Sequence, residues 1–252
     1  MLEVSHLCKA FRGFKAVEDV SFLLRAGTIT GLIGPNGAGK TTLFDTLAGR
    51  YRPTSGEISF LGRRIDTAPP YRIFREGLVR TFQIPRPFPA MTVLENVMLV
   101  PAGQAGERFW NNWFSRRAVR MEEVACRAQA LEILNFMDLS TLAGEFAGNL
   151  SGGQQKLLEL ARALMASPRL ILLDEPGAGV NPTLLGTIMD KLREINARGV
   201  TLLIIEHNMD LIMTLCNPVL VMAQGRLLLE GTPAQVRSDA RVLDAYLGGV
   251  PA

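Results

Sequence analysis

Three short stretches of this 252-residue sequence carry residue types at spacings suited to phosphate chemistry. The first is GPNGAGKT, Gly34-Pro35-Asn36-Gly37-Ala38-Gly39-Lys40-Thr41, followed by Thr42. It lies between an apolar run that reads as a strand and a pattern that reads as a helix, the context a phosphate-binding loop needs. Glycines let backbone N–H groups approach and surround phosphate oxygens, and the helix start adds unpaired donors and the positive end of its dipole. In such a loop Lys40 reaches the β- and γ-phosphates and the Thr41 hydroxyl binds Mg2+. A plain glycine turn is the alternative, and the strand–loop–helix context argues against it.

The second stretch is LILLDE, Leu170 to Glu175. Its four apolar residues make a buried strand and leave Asp174 and Glu175 at the C-terminal end, where open α/β sheets bind their ligands. Asp174 would hold Mg2+, directly or through water, and Glu175 would orient and deprotonate an attacking water. An acidic pair at a strand end also serves as a turn or helix cap. Its place about 130 residues after the glycine loop favours the nucleotide reading. The third stretch is LSGGQ, Leu150 to Gln154. Ser151 with Gln154 three residues later is a capping-box pattern, opening a helix through Met165. Gly152 and Gly153 leave Ser151 and the helix start uncovered, a second ready anion site. Two such starts for one nucleotide suggest that the second serves a neighbour's nucleotide.

The elements around these motifs follow from periodicity. Leu2–Leu7 alternates apolar and polar residues, and Val20–Leu24 and Thr28–Ile33 flank an Ala26-Gly27 turn, so three strands open the chain. A helix is expected over Lys40–Ala48, stopped by Gly49. Ile58–Leu61 and Val79–Phe82 read as short strands. Pro85, Pro87 and Pro89 then exclude a regular helix or central strand. Val93 to Met137 is mostly helical in pattern, with Val119, Val124, Leu131, Leu134 and Met137 at roughly helical spacing. Strands return at Leu170–Leu173, Thr201–Ile205 and Val219–Met222, separated by helices starting near Pro182 and Asn208. Near-continuous apolar strands alternating with helices imply a parallel sheet covered on both faces. The expected division is residues 1–83 as a core, 84–160 as a helical insert and 161–252 as core and tail.

Composition narrows the classes. The chain is 48% apolar and 20% charged, which excludes disorder, collagen and a disulfide scaffold. A net charge of +3 is too mild to argue for nucleic acid as a partner. Cys8, Cys126 and Cys216 stand far apart with only His6 and His207, so no metal cluster or disulfide set is expected and a reduced compartment fits. The start, MLEVSHLCKAF, lacks the long apolar run of a signal peptide. The most apolar stretch, Leu211–Ala223, is far short of the about 20 residues a bilayer span needs.

In this order the motifs resemble those of the ATP-binding cassette (ABC) ATPases, over nearly the whole chain. GPNGAGKT is similar to their Walker A, LILLDE to their Walker B and LSGGQ to their signature. The resemblance implies an α/β fold: a P-loop NTPase core with an N-terminal antiparallel β subdomain and an inserted helical subdomain. It implies ATP and Mg2+, and a head-to-tail dimer that sandwiches ATP between Walker A of one subunit and the signature of the other. Gln83, closing VRTFQ, resembles the Q-loop glutamine that senses Mg2+ and the water. His207, in LLIIEHN, resembles the switch histidine that contacts the γ-phosphate. Phe11, 23 residues before Gly34, resembles the aromatic that stacks on adenine. Taken alone, Gln83 reads as exposed polar surface, His207 as a cap or core residue and Phe11 as a core or edge aromatic. PGAGVNP after Glu175 departs from the commoner serine-alanine-leucine-aspartate loop, with Asn181 in place of the aspartate. It looks like the mark of a subfamily.

RTFQ, MTVLENV, PGAGVNP and the ending EGTPAQVRSDARVLDAYLGG resemble the LivG-like ATPases of branched-chain amino-acid importers. With this ending, no added regulatory domain is expected. That branch implies two membrane permease subunits, a second ABC ATPase, with a heterodimer favoured over a homodimer, and a periplasmic binding protein acting indirectly. It places the chain peripherally on the cytoplasmic face of the membrane. Ile84, Pro85, Phe88, Pro89 and Met91 are candidates for the groove that receives the permease, or for local packing. FWNNWF, Phe109–Phe114, reads as subdomain core or as a membrane-proximal surface. Urea or amide import and lipopolysaccharide export are alternatives within transport. A soluble ABC ATPase of DNA repair or translation is an alternative outside it, disfavoured by the single cassette and the lack of sustained heptads. Every catalytic residue type is present, which argues against an inactive cassette.

Overall fold

A computed structural model of the chain describes residues 1–81, 86–101 and 116–247. Contacts divide the chain into two compact units: Met1–Gln83 with Arg169–Ala178 and Leu185–Ala252, and Ile84–Pro168 with Gly179–Leu184.

The first unit holds two sheets. In the smaller one, β1 (Leu2–Phe11), β2 (Phe14–Leu24), β4 (Ser55–Phe60) and β5 (Arg63–Arg64) lie in the order β2-β1-β4-β5, all antiparallel. Leu2 pairs with Leu24 on one side and Phe60 on the other, and all three are buried, so the alternation seen in the sequence becomes one apolar face. Register shifts after Val4 and Leu7 let β1 run four residues beyond the expected Leu7 and reach Phe11.

The larger sheet joins β3 (Ile29–Ile33), β6 (Leu78–Arg80), β7 (Leu170–Asp174), β8 (Thr201–Ile205), β9 (Val219–Ala223) and β10 (Arg226–Gly231) in the order β10-β9-β3-β8-β7-β6. From β9 to β6 every pairing is parallel. All residues of β3, β7 and β8 are buried, as their unbroken apolar runs require in a sheet covered on both faces. β10 is the antiparallel exception, an edge strand outside the sequence reading. Gln224 and Gly225 both have positive φ (49° and 80°), the geometry of a tight two-residue hairpin turn. Helices α1 (Lys40–Leu47), α2 (Pro70–Arg75), α7 (Met209–Leu215), α8 (Pro233–Ser238) and α9 (Ala240–Leu247) also belong to this unit. The buried Cys216 follows α7, and burial pushes its thiol up to about 12.

The second unit is helical: α3 (Val93–Met98), α4 (Arg116–Phe136) and α5 (Gly152–Met165). A capping box between Thr92 and Glu95 opens α3. Asn96, fully buried on α3, donates to the carbonyls of Phe88, Met91 and Thr92 and accepts from the Phe88 N–H at 2.8 Å. One amide thus folds the proline-rich segment, whose prolines supply few donors of their own. Phe88 is exposed there, while Ile84, Pro85 and Phe109–Phe114 lie outside the described residues.

The buried stripe of α4 runs through Ala130, Leu134 and beyond its end to Met137, at i, i+4 and i+7, whereas Val124 and Leu131 are exposed. A division at residue 160 would cut α5, which is one continuous helix packed on α3 and α4, so the second unit extends to Pro168. A further helix, α6 (Pro182–Ala197), starts in the Gly179–Leu184 segment that clusters with the second unit.

Leu203 is fully buried in β8 with close-packed neighbours. Leu203→Ala should cost about 2–5 kcal/mol of stability, read as a lower urea midpoint at unchanged slope.

Candidate functional site

Strand β3 delivers the chain from the sheet interior into Gly34. Two glycines of the loop are fixed by close approach. A Cβ on Gly34 would lie 2.1 Å from the Met222 carbonyl oxygen, and one on Gly39 would lie 2.2 Å from that of Ala16. Both have positive φ, 150° and 95°. Pro35 is half-buried, Asn36 and Gly37 are exposed, and Ala38 is buried. Lys40 opens α1 but folds back, its Nζ donating to the carbonyls of Gly34 at 2.7 Å and Pro35 at 3.0 Å. Burial pulls the Lys40 pKa down, against the attraction of Glu175 and Asp174. No side chain caps the first turn of α1, so its N–H groups stay available to a ligand beside the exposed Thr41 and half-exposed Thr42. The Tyr246 phenol, brought by α9, comes near the Gly34 backbone, and burial raises its pKa against the pull of that backbone.

Asp174 ends β7 and is buried. Arg80, at the end of the neighbouring β6, donates to its Oδ2 at 3.1 Å and also bonds Asp45 of α1. Arg50 reaches the same Asp45 at 3.3 Å. Burial raises the Asp174 pKa, Arg80 opposes it, and Glu175 and Asp45 add to it. Glu175 takes a left-handed φ of 51°, and its N–H donates to the Ile205 carbonyl at 2.9 Å. Its Oε1 lies 2.8 Å from His207 Nε2. The carboxylate–imidazole pair therefore joins the ends of β7 and β8.

Phe11 at the end of β1 is partly exposed and meets Tyr51 edge to face, ring centres 5.1 Å apart at 81°. Lys9 Nζ sits 4.9 Å from the Phe11 ring centre and donates to the Arg52 carbonyl. In the other unit, Ser151 and Gln154 form the expected capping box at the start of α5. Ser151 and Gly152 are exposed with open space beside Gly152, but a Cβ on Gly153 would lie 1.8 Å from Leu184 Cδ2. Gly153 thus also allows close packing against Leu184. Asn181 Oδ1 accepts the Leu184 N–H at 2.9 Å, capping α6 ahead of Pro182. Gln83 lies outside the described residues.

In the first unit the structure therefore brings together the glycine loop, Asp174, Glu175 and His207. Arg80, Asp45, Tyr246 and Tyr51 join them without a sequence motif to mark them. Arg80 stands in the RTFQ stretch, yet only adjacency of β6 to β7 reveals its target. The donor set suits Mg2+ bound with phosphates: one threonine hydroxyl, one carboxylate and no all-protein cage. Among the described residues no group of three or more His, Cys, Asp or Glu side chains could hold a metal.

Comparison with known proteins gives consistent relatives. The sequence model of the ABC transporter family matches residues 17–178, and that of the branched-chain amino acid ATP-binding cassette transporter matches residues 226–252. The chain is 42% identical to the probable branched-chain amino acid transport ATP-binding protein LivG of Archaeoglobus fulgidus, over 98% of this chain and 95% of that one. It is 41% identical to the high-affinity branched-chain amino acid transport ATP-binding protein BraF of Pseudomonas aeruginosa, over 98% of each. A nucleotide-free cassette of an ABC transporter superposes with a TM-score of 0.85 at 38% identity, covering 97% of this chain and 98% of that one. The ADP conformation of another cassette gives 0.83 at 37% identity, covering 98% of each.

Arg80 is the cation between two buried carboxylates, and removing it as Arg80→Met leaves Asp174 uncompensated and Asp45 with Arg50 alone. The expected loss is about 3–5 kcal/mol near neutral pH. The folded state holds the Asp174 proton more tightly than the unfolded chain does. Its stabilising contribution is thus full below the unfolded pKa and is lost as pH rises through the raised folded value. Thermal melts of Arg80→Met should accordingly show a smaller deficit on acidification.

Proposed function

Because this chain belongs to the ABC transporter family, we propose that it is the ATP-hydrolysing subunit of a branched-chain amino-acid importer, driving uptake through separate membrane permeases. The observation that carries this reading is the coexistence in one chain of the cassette match and the branch-specific match over β10, α8 and α9.

The residues divide the work by chemistry. Loop amides from Gly34 to Gly39, the first turn of α1 with Thr42, and the Lys40 ammonium hold the phosphates. Thr41 and Asp174 would hold Mg2+, with Gln83, and the ion supplies charge neutralisation on the β- and γ-phosphate oxygens. Glu175 orients the attacking water and accepts its proton, a role worth about 10²–10⁴ in rate. His207, whose Nε2 lies 2.8 Å from Glu175, steadies that carboxylate, and contact with the terminal phosphate would need that N–H to turn away from Glu175. Phe11 offers a face to adenine. Ser151, Gly152, Gly153 and Gln154 act on the nucleotide of a second cassette, which makes the chain one half of a dimer.

The partners of this reading are two permease subunits and a sister cassette, with a periplasmic binding protein beyond them. No helix among the described residues is long and apolar enough to cross a membrane, so the chain would sit on the cytoplasmic face through its permeases.

Glu175→Gln should bind MgATP, accumulate the ATP-bound dimer and lose at least about 100-fold in turnover. Tagged Glu175→Gln with MgATP, captured from detergent-solubilised source membranes, should bring down two polytopic permeases and a second cassette. The associated binding protein should then take leucine, isoleucine or valine. A preference for urea would move the cargo, and recovery of ribosomes or DNA-repair proteins alone would overturn the transport reading. Ser151→Arg should keep monomer ATP affinity by calorimetry yet fail to dimerise in sedimentation. A normal ATP-bound dimer would remove the role in trans.

A further inference from the structure

Glu206 follows β8 and is buried, with 3% of its surface exposed. Its Oε1 accepts the Gly177 N–H at 2.6 Å. Its Oε2 accepts the N–H groups of His207 at 3.0 Å and Asn208 at 3.2 Å. Gly177 stands two residues after Glu175, and His207 is the residue whose imidazole meets Glu175. One carboxylate therefore brackets the two backbone segments that carry the Glu175–His207 pair. Hydrogen bonds to an ionised acceptor are about twice as strong as neutral ones, so the bracket is stiff.

The bracket also explains a glycine. Gly177 has no positive φ, so conformation does not demand it. A Cβ there would lie 2.7 Å from Glu206 Oε1 and 2.9 Å from Leu185 Cδ1. Space does demand it, and the Gly177 of PGAGVNP and the glutamate before the histidine form one structural unit.

We propose that Glu206 is a positioning residue that locks the loop leaving Glu175 to the backbone of His207, so that the two move together and the catalytic carboxylate keeps its alignment to the water. The proposal rests on the reading of the chain as an ATPase, and only on that part of it.

The test uses the purified full chain carrying Glu206→Gln, which keeps the volume but turns an amide N–H2 toward backbone donors. ATPase kcat should fall about 10- to 100-fold, the range a small misplacement costs, while KM for ATP stays within about twofold. Amide hydrogen exchange at Gly177, His207 and Asn208 should speed up together, with that of the Gly34–Thr41 loop unchanged. Gly177→Ala should lower kcat in the native background and lower it less once Glu206→Ser has removed the crowding oxygen. Unchanged kcat and exchange in Glu206→Gln would overturn the proposal, as would kcat and KM effects that track a lowered Tm. Additive Gly177 and Glu206 effects would overturn it too. A wild-type chain that hydrolyses no ATP would overturn the ATPase reading alone, and the exchange measurement would still decide the bracket.

Discussion

Leu32, Ile205 and Asp174 lie side by side across three parallel strands, Leu32 paired with Ile205 and Ile205 with Asp174. That register is the constraint on which the site depends. It brings the exits of β3, β7 and β8 to one edge of the sheet, so the glycine loop, the acidic pair and the histidine all begin within a few ångströms of the same line. The strands are buried on both faces, and a slip of one residue would turn every side chain over. The alignment of the site is thus set by apolar side chains buried within the sheet.

The same edge concentrates charge where water is scarce. Lys40, Asp45, Asp174 and Glu206 are all buried, and each is answered differently: loop carbonyls for Lys40, Arg80 for the two aspartates, backbone N–H groups for Glu206. Buried charges gain little stability on balance, because desolvation offsets most of the attraction. Their retention makes sense as geometry. Each charge is tied to a neighbouring strand or loop, so a shift at one is felt at the next.

The parts of the fold and site that are contiguous in sequence were legible there. The glycine loop between strand and helix, the capped start of α5 and the apolar strands each announce themselves within a few residues, because local geometry sets their composition. What long-range pairing decides was not legible. β10 becomes a strand because β9 offers an edge and a positive-φ turn closes onto it. Arg80 and Glu206 look like ordinary polar residues at strand ends until the strands beside them are known. Helical spacing marks α4 in the sequence but not its packed face: Val124 and Leu131 fit the period and are exposed, while Ala130, small and apolar, is buried. Gly153 was read as an opening, and its packing on Leu184 was not legible, since Leu184 lies 31 residues away in the chain.

The pairing of Phe11 with Tyr51 has a consequence for the choice of fuel. An aromatic ring held by an edge-on neighbour and a lysine offers a flat surface and no pattern of donors and acceptors. Every purine has a comparable face, so stacking discriminates poorly among bases. Were a nucleotide base to rest on that ring, stacking alone would leave the choice among purine nucleoside triphosphates to their supply in the cell.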